Sequence, residues 1–305
     1  MIICHSGLDF RNMNVSRPSR VKTAQIYLKR AIRWKRNSSP YISGDAFADF
    51  SDFVYNPPRW RNLNRCSHIS KAKIIYCRSH ELQDMLDKHS HEINAQVIVS
   101  GNSDFEFYSI PSKIPKSVCA LFLQNSFISD HKFIFTIPIG LENYRLSMNG
   151  NPRFLRPRGS YPVRTNRILF GPLSPTHPIR KRVIKEFKEE DPKWDVLSSR
   201  LSPKMYGRIS NSYNFVAAVR GNGIDTHRIW EALYRGATPV VINDNWWKSL
   251  QDLFPQVISI SDWNKGEIEN MINSGAKSNF NPLTIEALWM PFWEKKINTF
   301  LEARM

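Results

Sequence analysis

Short apolar runs alternate with polar, amphipathic stretches along most of the chain. Residues 73–77 (KIIYC), 95–100 (AQVIVS), 120–123 (ALFL) and 133–137 (FIFTI) are too short and too continuously apolar for surface helices. They read as strands buried on both faces, each followed by a polar or glycine-bearing loop. Residues 79–89, between the first two, predict a helix, and residues 2–4 offer a further strand at the start. Residues 147–163 (SMNGNPRFLRPRGSYPV) have no periodicity and are rich in Gly, Pro, Asn and Arg, so they read as a linker. The alternation then restarts, with strands predicted at 167–170, 194–197, 215–219, 238–242 and 257–260. Helices are predicted at 179–190, 202–210, 226–234 and 267–272. A long terminal helix over 284–304 presents Trp289, Phe292, Trp293, Ile297 and Phe300 on one face, with a kink expected at Pro291.

Strand and helix in alternation predict parallel sheets, hence an α/β protein. The break near the middle divides it into two doubly wound, Rossmann-like domains, 1–155 and 156–305, facing across a cleft. The last helix could pack back across the linker onto the first domain. In such sheets ligands bind at the carboxyl ends of the strands.

Composition agrees with two domains: 305 residues exceed one ordinary domain, and 41% hydrophobic residues can bury sizeable cores. The formal charge of +16 implies attraction to polyanions, whether nucleotide, nucleic acid or anionic membrane, although a basic surface with no dedicated partner gives the same number. Residues 19–36 form a basic amphipathic segment that could lie on an anionic membrane surface or be an ordinary surface helix. Cys4, Cys66, Cys77 and Cys119 lack zinc-ligand spacing, and no metal is expected. No run of about 18 apolar residues and no signal-peptide core occurs, so a cytoplasmic protein is expected, soluble or peripheral to a membrane.

The most informative stretch is 214–247, which reads as strand, polar glycine loop, helix, tight turn, strand. Arg220, Gly221, Asn222 and Gly223 form a loop whose backbone N–H groups can approach an anion. Asp225 suits a helix N-cap, with Thr226 as the other candidate. Arg228 lies near the helix start, where a permanently charged guanidinium can grip phosphate oxygens. His227 clusters with it, and Glu231, three residues on, shares its face and could accept hydrogen bonds from a ribose diol. The plainer alternative is a capped helix with an Arg–Glu surface pair. A second anion candidate follows the strand at 167–170: Ser174, Thr176 and Arg180 could reach the same phosphates, or Thr176 could simply cap the helix ahead of Pro178.

These residues carry a resemblance. Arg220-Gly-Asn-Gly223, Asp225-Thr-His-Arg228, Trp230-Glu-Ala-Leu233 and Gly236-Ala-Thr-Pro239-Val-Val resemble the signature of exostosin-like glycosyltransferases, and more loosely that of fucosyltransferases of the same two-domain GT-B architecture. The similarity is strong over some thirty residues; SGDAF (43–47), SGNSDFEF (100–107), LQNSF (123–127) and IPIGLEN (137–143) are more weakly similar to N-terminal segments of such enzymes. The resemblance implies transfer of a sugar from a nucleotide-sugar donor to a glycan or glycolipid acceptor, inverting, with no cofactor and no required metal. It places Arg228 on the diphosphate and Glu231 on the nucleoside or sugar. The absence of an Asp-x-Asp motif fits that architecture.

Transfer needs a base for the acceptor hydroxyl, expected from the first domain. Asp45, Asp104, Glu106 and Glu142 each sit in or beside a glycine- or asparagine-bearing loop. Asp104 is the first choice and Asp45 the second. Two other functions compete: a basic nucleic-acid-binding protein, which the charge favours but no reading motif supports, and a nucleotide-sugar binder without catalysis.

Overall fold

The computed structural model describes residues 38–57, 64–146, 151–155, 163–275 and 280–302. The expected strand at 2–4, the basic segment 19–36 and most of the expected linker lie outside the described residues.

Two five-stranded, wholly parallel sheets organise the chain, compatible with two Rossmann-like units. The first contains β1 (Phe53–Val54), β2 (Ile74–Arg78), β3 (Val97–Gly101), β4 (Ala120–Gln124) and β5 (Ile134–Ile137), in the spatial order β1-β2-β3-β4-β5. Strands β3 and β4 are buried at every position, as parallel strands covered on both faces require. Helix α1 (Gly44–Phe50) begins at Ser43, whose side chain accepts from the Ala46 N–H. The predicted helix at 79–89 is a short 3-10 turn, Ser79–Glu81, running into α2 (Leu82–His89).

The second sheet contains β6 (Thr165–Phe170), β7 (Trp194–Val196), β8 (Tyr213–Ala217), β9 (Thr238–Ile242) and β10 (Ile258–Ile260), ordered β10-β9-β8-β6-β7. Its first strand therefore lies between its second and its third. The order reverses between β6 and β8, and the loops leaving those two strands part there and open a crevice. Helices α3 (Pro178–Glu186), α4 (Pro203–Ser210), α5 (His227–Tyr234) and α6 (Asn245–Lys248) connect these strands, and α7 (Lys265–Asn273) follows the last of them. Proline opens both α3 and α4, where its missing N–H costs nothing.

The terminal helix α8 (Met290–Glu302) is shorter than the sequence suggested. Two 3-10 turns, Pro282–Thr284 and Glu286–Leu288, precede it. Pro291 falls in its first turn and so starts the helix instead of kinking it, because there no intrahelical partner is lost. Helix α8 lies on the first sheet: Trp293 meets Phe47 edge-on at 6.3 Å, and Phe300 meets Phe135 at 5.1 Å. One continuous core joins Tyr76, Val99 and Phe122 of the first sheet, Trp293 and Ile297 of α8, and Trp230 and Tyr234 of α5. Among the described residues no helix is long and apolar enough to cross a membrane.

Candidate functional site

The carboxyl-end loops of the two sheets face each other, and the loop after β8 is the seam between them. Its Asp225 is buried, against the expectation of a helix cap. Asp225 Oδ2 accepts the Ile139 N–H at 2.6 Å and Oδ1 accepts the Trp230 indole N–H at 2.8 Å, while its own N–H donates to Asn125 Oδ1 at 3.1 Å. Thr226 takes the N-cap position, yet its hydroxyl makes no capping bond. The His227 ring pairs through Nδ1 with the Gly140 carbonyl at 2.8 Å. Gly140 has φ +66°, and a Cβ there would fall 2.2 Å from the Ile42 carbonyl oxygen, so the turn that receives His227 requires glycine.

Arg220 and Asn222 reach across the seam. Arg220 Nη2 contacts Glu106 Oε1 at 2.5 Å, and Asn222 Nδ2 donates to Asp104 Oδ2 at 3.2 Å. Gly223 keeps the approach close, since a Cβ there would sit 2.9 Å from Asn125 Nδ2 and 3.3 Å from Asp104 Cα.

The loop after β6 meets the same place from the other side of the crevice. A Cβ on Gly221 would lie 3.1 Å from Arg180 Nη2 and 3.3 Å from Thr176 Oγ1, so both side chains converge on the glycine loop. Arg180 donates to three main-chain carbonyls, those of Arg220 (2.8 Å), Val219 (3.1 Å) and Ser174 (3.2 Å). Arg228 donates to the Pro172 carbonyl at 3.1 Å and lies 5.3 Å from the centre of the Tyr206 ring. Among the described residues neither arginine pairs with a carboxylate. Burial, and then the positive charge of Arg228, push Arg180 down to about 10. The Ser174 side chain is exposed at this loop, and the cap of α3 is His177, whose Nδ1 accepts the Ile179 N–H, not Thr176.

Two expected residues lie apart from this cluster. The Glu231 carboxylate is buried and pairs with Arg235 at 3.6 Å, and among the described residues it makes no ion pair with Arg228. Asp45 is buried in α1 with Arg145 Nε at 2.9 Å, its backbone N–H held by Asn143 Oδ1 at 2.8 Å. Asp104, by contrast, is exposed beside the glycine loop.

A cleft of about 290 Å³ continues from Arg220 along the carboxyl ends of β8, β9 and β10. Ile224, Ile229, Val241 and Trp263 supply apolar walls, with His177, Asp244, Ser261 and Asp262 among them. Trp246 also lines it, and among the described residues its buried indole N–H has no hydrogen-bond partner; the same holds for Arg220 Nε. An unpaired buried donor is costly unless something accepts from it, so both atoms favour a ligand rich in acceptors. Burial pushes the Asp244 carboxyl up and the His177 ring down.

No motif in the sequence marks this cleft, because its residues come from the ends of three strands and from three helices. Asn125 was visible only within LQNSF. No group of three or more His, Cys, Asp or Glu able to hold a metal gathers among the described residues. Comparison of the chain with known protein families and with curated proteins gave no match to either.

Proposed function

We propose that this chain is a GT-B glycosyltransferase that moves a sugar from a nucleotide-sugar donor to a glycan or glycolipid hydroxyl. The observation that carries the reading is the pair Arg180 and Arg228. Two guanidinium groups sit at the crevice of the second sheet, held by carbonyls and unneutralised by any carboxylate among the described residues. Repulsion between them is relieved by an anion bearing two charges, and a diphosphate is such an anion. The adjacent cleft, apolar with an unpaired indole N–H, suits the nucleoside.

On this reading each group has a part in the reaction. Asp104, exposed at the seam, takes the proton of the acceptor hydroxyl as its oxygen bonds to the anomeric carbon. The bond from that carbon to phosphate breaks, and the nucleoside diphosphate leaves with its charge held by Arg180 and Arg228. Asp45, buried against Arg145, acts at most by holding the turn that bears Asn143. No metal or cofactor is assigned a part.

Titration calorimetry with UDP, GDP and CMP tests the reading. One of them is expected to bind, and Arg228→Ala to weaken it by about tenfold or more, the loss of a charge-assisted hydrogen bond. Circular dichroism is expected to be unchanged. Undiminished affinity in a folded variant would sink the role of Arg228. Binding without donor hydrolysis or transfer would leave a binder in place of an enzyme.

A further inference from the structure

The loop after β3 exposes an aromatic surface beside the seam. Phe105 is 48% exposed and Tyr108 69%, and Ile110 also stands out to solvent. Side chains of this size are normally covered, and three within six residues make a patch. The patch is rigid. Tyr108 stacks on Phe127, with ring centres 4.7 Å apart and planes 12° from parallel, and Phe105 packs edge-on against Phe107 at 5.0 Å. The backbones are pinned together: Phe107 N–H donates to the Asn125 carbonyl at 3.0 Å, and Phe127 N–H to the Phe107 carbonyl at 2.8 Å. The Tyr108 hydroxyl donates to Glu106 Oε2 at 2.5 Å, and the other oxygen of Glu106 meets Arg220. That hydrogen bond to Glu106 raises the phenol's pKa, so the hydroxyl remains a donor.

Phe127 covers one face of the Tyr108 ring, and the high exposure of Tyr108 leaves the other in water. The Glu106 carboxylate adjoins it through the Tyr108 hydroxyl, and Glu106 in turn meets Arg220 of the glycine loop, whose Asn222 bonds Asp104. A flat apolar face with a polar rim complements a pyranose, which carries C–H groups on its faces and hydroxyls round its edge. An anionic ligand is disfavoured, because Arg220 is already matched by Glu106 and Asp104 has no ion-pair partner among the described residues.

We propose that the open face of Tyr108, backed by Phe127, is the seat of a neutral saccharide, whose position one side chain away from Arg220 makes it the acceptor. The word acceptor rests on the transferase reading; the saccharide seat does not.

An immobilised panel of neutral oligosaccharides, made of gluco-, galacto-, manno-, xylo- and N-acetylglucosamine series, tests it with the full chain. The wild type is expected to be retained by at least one series, and Tyr108→Ala to lose about tenfold in apparent affinity, the scale of one aromatic contact. Tyr108→Phe, which keeps the ring and drops its tether, is expected to lose less. Nucleoside diphosphate binding, measured in parallel, is expected to be retained in all three. The seat is overturned if no series retains the wild type, or if Tyr108→Ala is retained equally. It is also overturned if light scattering finds a wild-type dimer that Tyr108→Ala dissolves, since the ring would then belong to a contact between copies. Saccharide retention without nucleotide binding would sink the transferase reading and leave the seat standing.

Discussion

Glu106 is the residue on which the two halves of the site turn. Its carboxylate occupies the guanidinium of Arg220 on one side and the hydroxyl of Tyr108 on the other. The ion pair is largely buried, so salt screens it less than a surface pair. An incoming phosphate and Glu106 are both anions seeking the same donor, and only one can have it. Glu106→Gln is therefore expected to tighten nucleoside diphosphate binding by about fivefold, the equivalent of ~1 kcal/mol of charge pairing. Calorimetry on the variant decides this: unchanged or weaker binding would mean that Glu106 serves only to hold the seam shut. Glu231 gives the opposite case. Its spacing from Arg228 suggested a working pair, but the buried Arg235 one turn further on draws its carboxylate inward. Spacing along a helix tells which side chains share a face, not which cation a carboxylate will choose.

At the scale of elements, the alternation of apolar runs was enough to place every strand of both sheets except β1, which is two residues long. Continuous burial of both faces leaves a signature that needs no tertiary information. The crevice between β6 and β8 was not legible, because strand order is decided by how the units pack and not by any one segment. The terminal helix mixes both cases. Its apolar face was readable, while its start was set by Pro291 and by the Trp289 and Trp293 indoles, which donate to the carbonyls of Pro282 (3.2 Å) and Ala287 (2.8 Å). Trp293 is wholly buried between Phe47 and Phe292. Trp293→Ala is expected to cost about 3–5 kcal/mol, from lost burial and the cavity left behind. Chemical denaturation checks it. A loss below about 1 kcal/mol would mean that α8 is a covering and not a part of the core.

For the whole molecule, the coupling of the two sheets runs through Asp225, and that makes it sensitive to pH. Its ordinary pKa is 3.8, and burial pushes it up to about 8 in the folded chain, against the Ile139, Trp230 and Thr226 N–H groups that favour the ionised form. Between these values the folded protein holds a proton that the unfolded chain has released. Stability contributed by this group is then complete below about pH 4, falls as pH rises, and is lost above about pH 8. Burial pushes Asp244 in the same direction, so its contribution has the same sign. Urea midpoints measured from about pH 5 to about pH 8 are expected to decline. Asp225→Asn separates Asp225 from the rest. An amide cannot accept on both sides, so it turns an N–H₂ against either Ile139 or Trp230 and costs about 1–3 kcal/mol at the acid end. The same variant has no proton to lose, so its decline toward about pH 8 is expected to be shallower than that of the wild type. A wild-type midpoint that rises over this window would mean that the three N–H donors outweigh burial and that Asp225 is ionised in the seam. A decline of equal slope in the variant would move the pH dependence to another group.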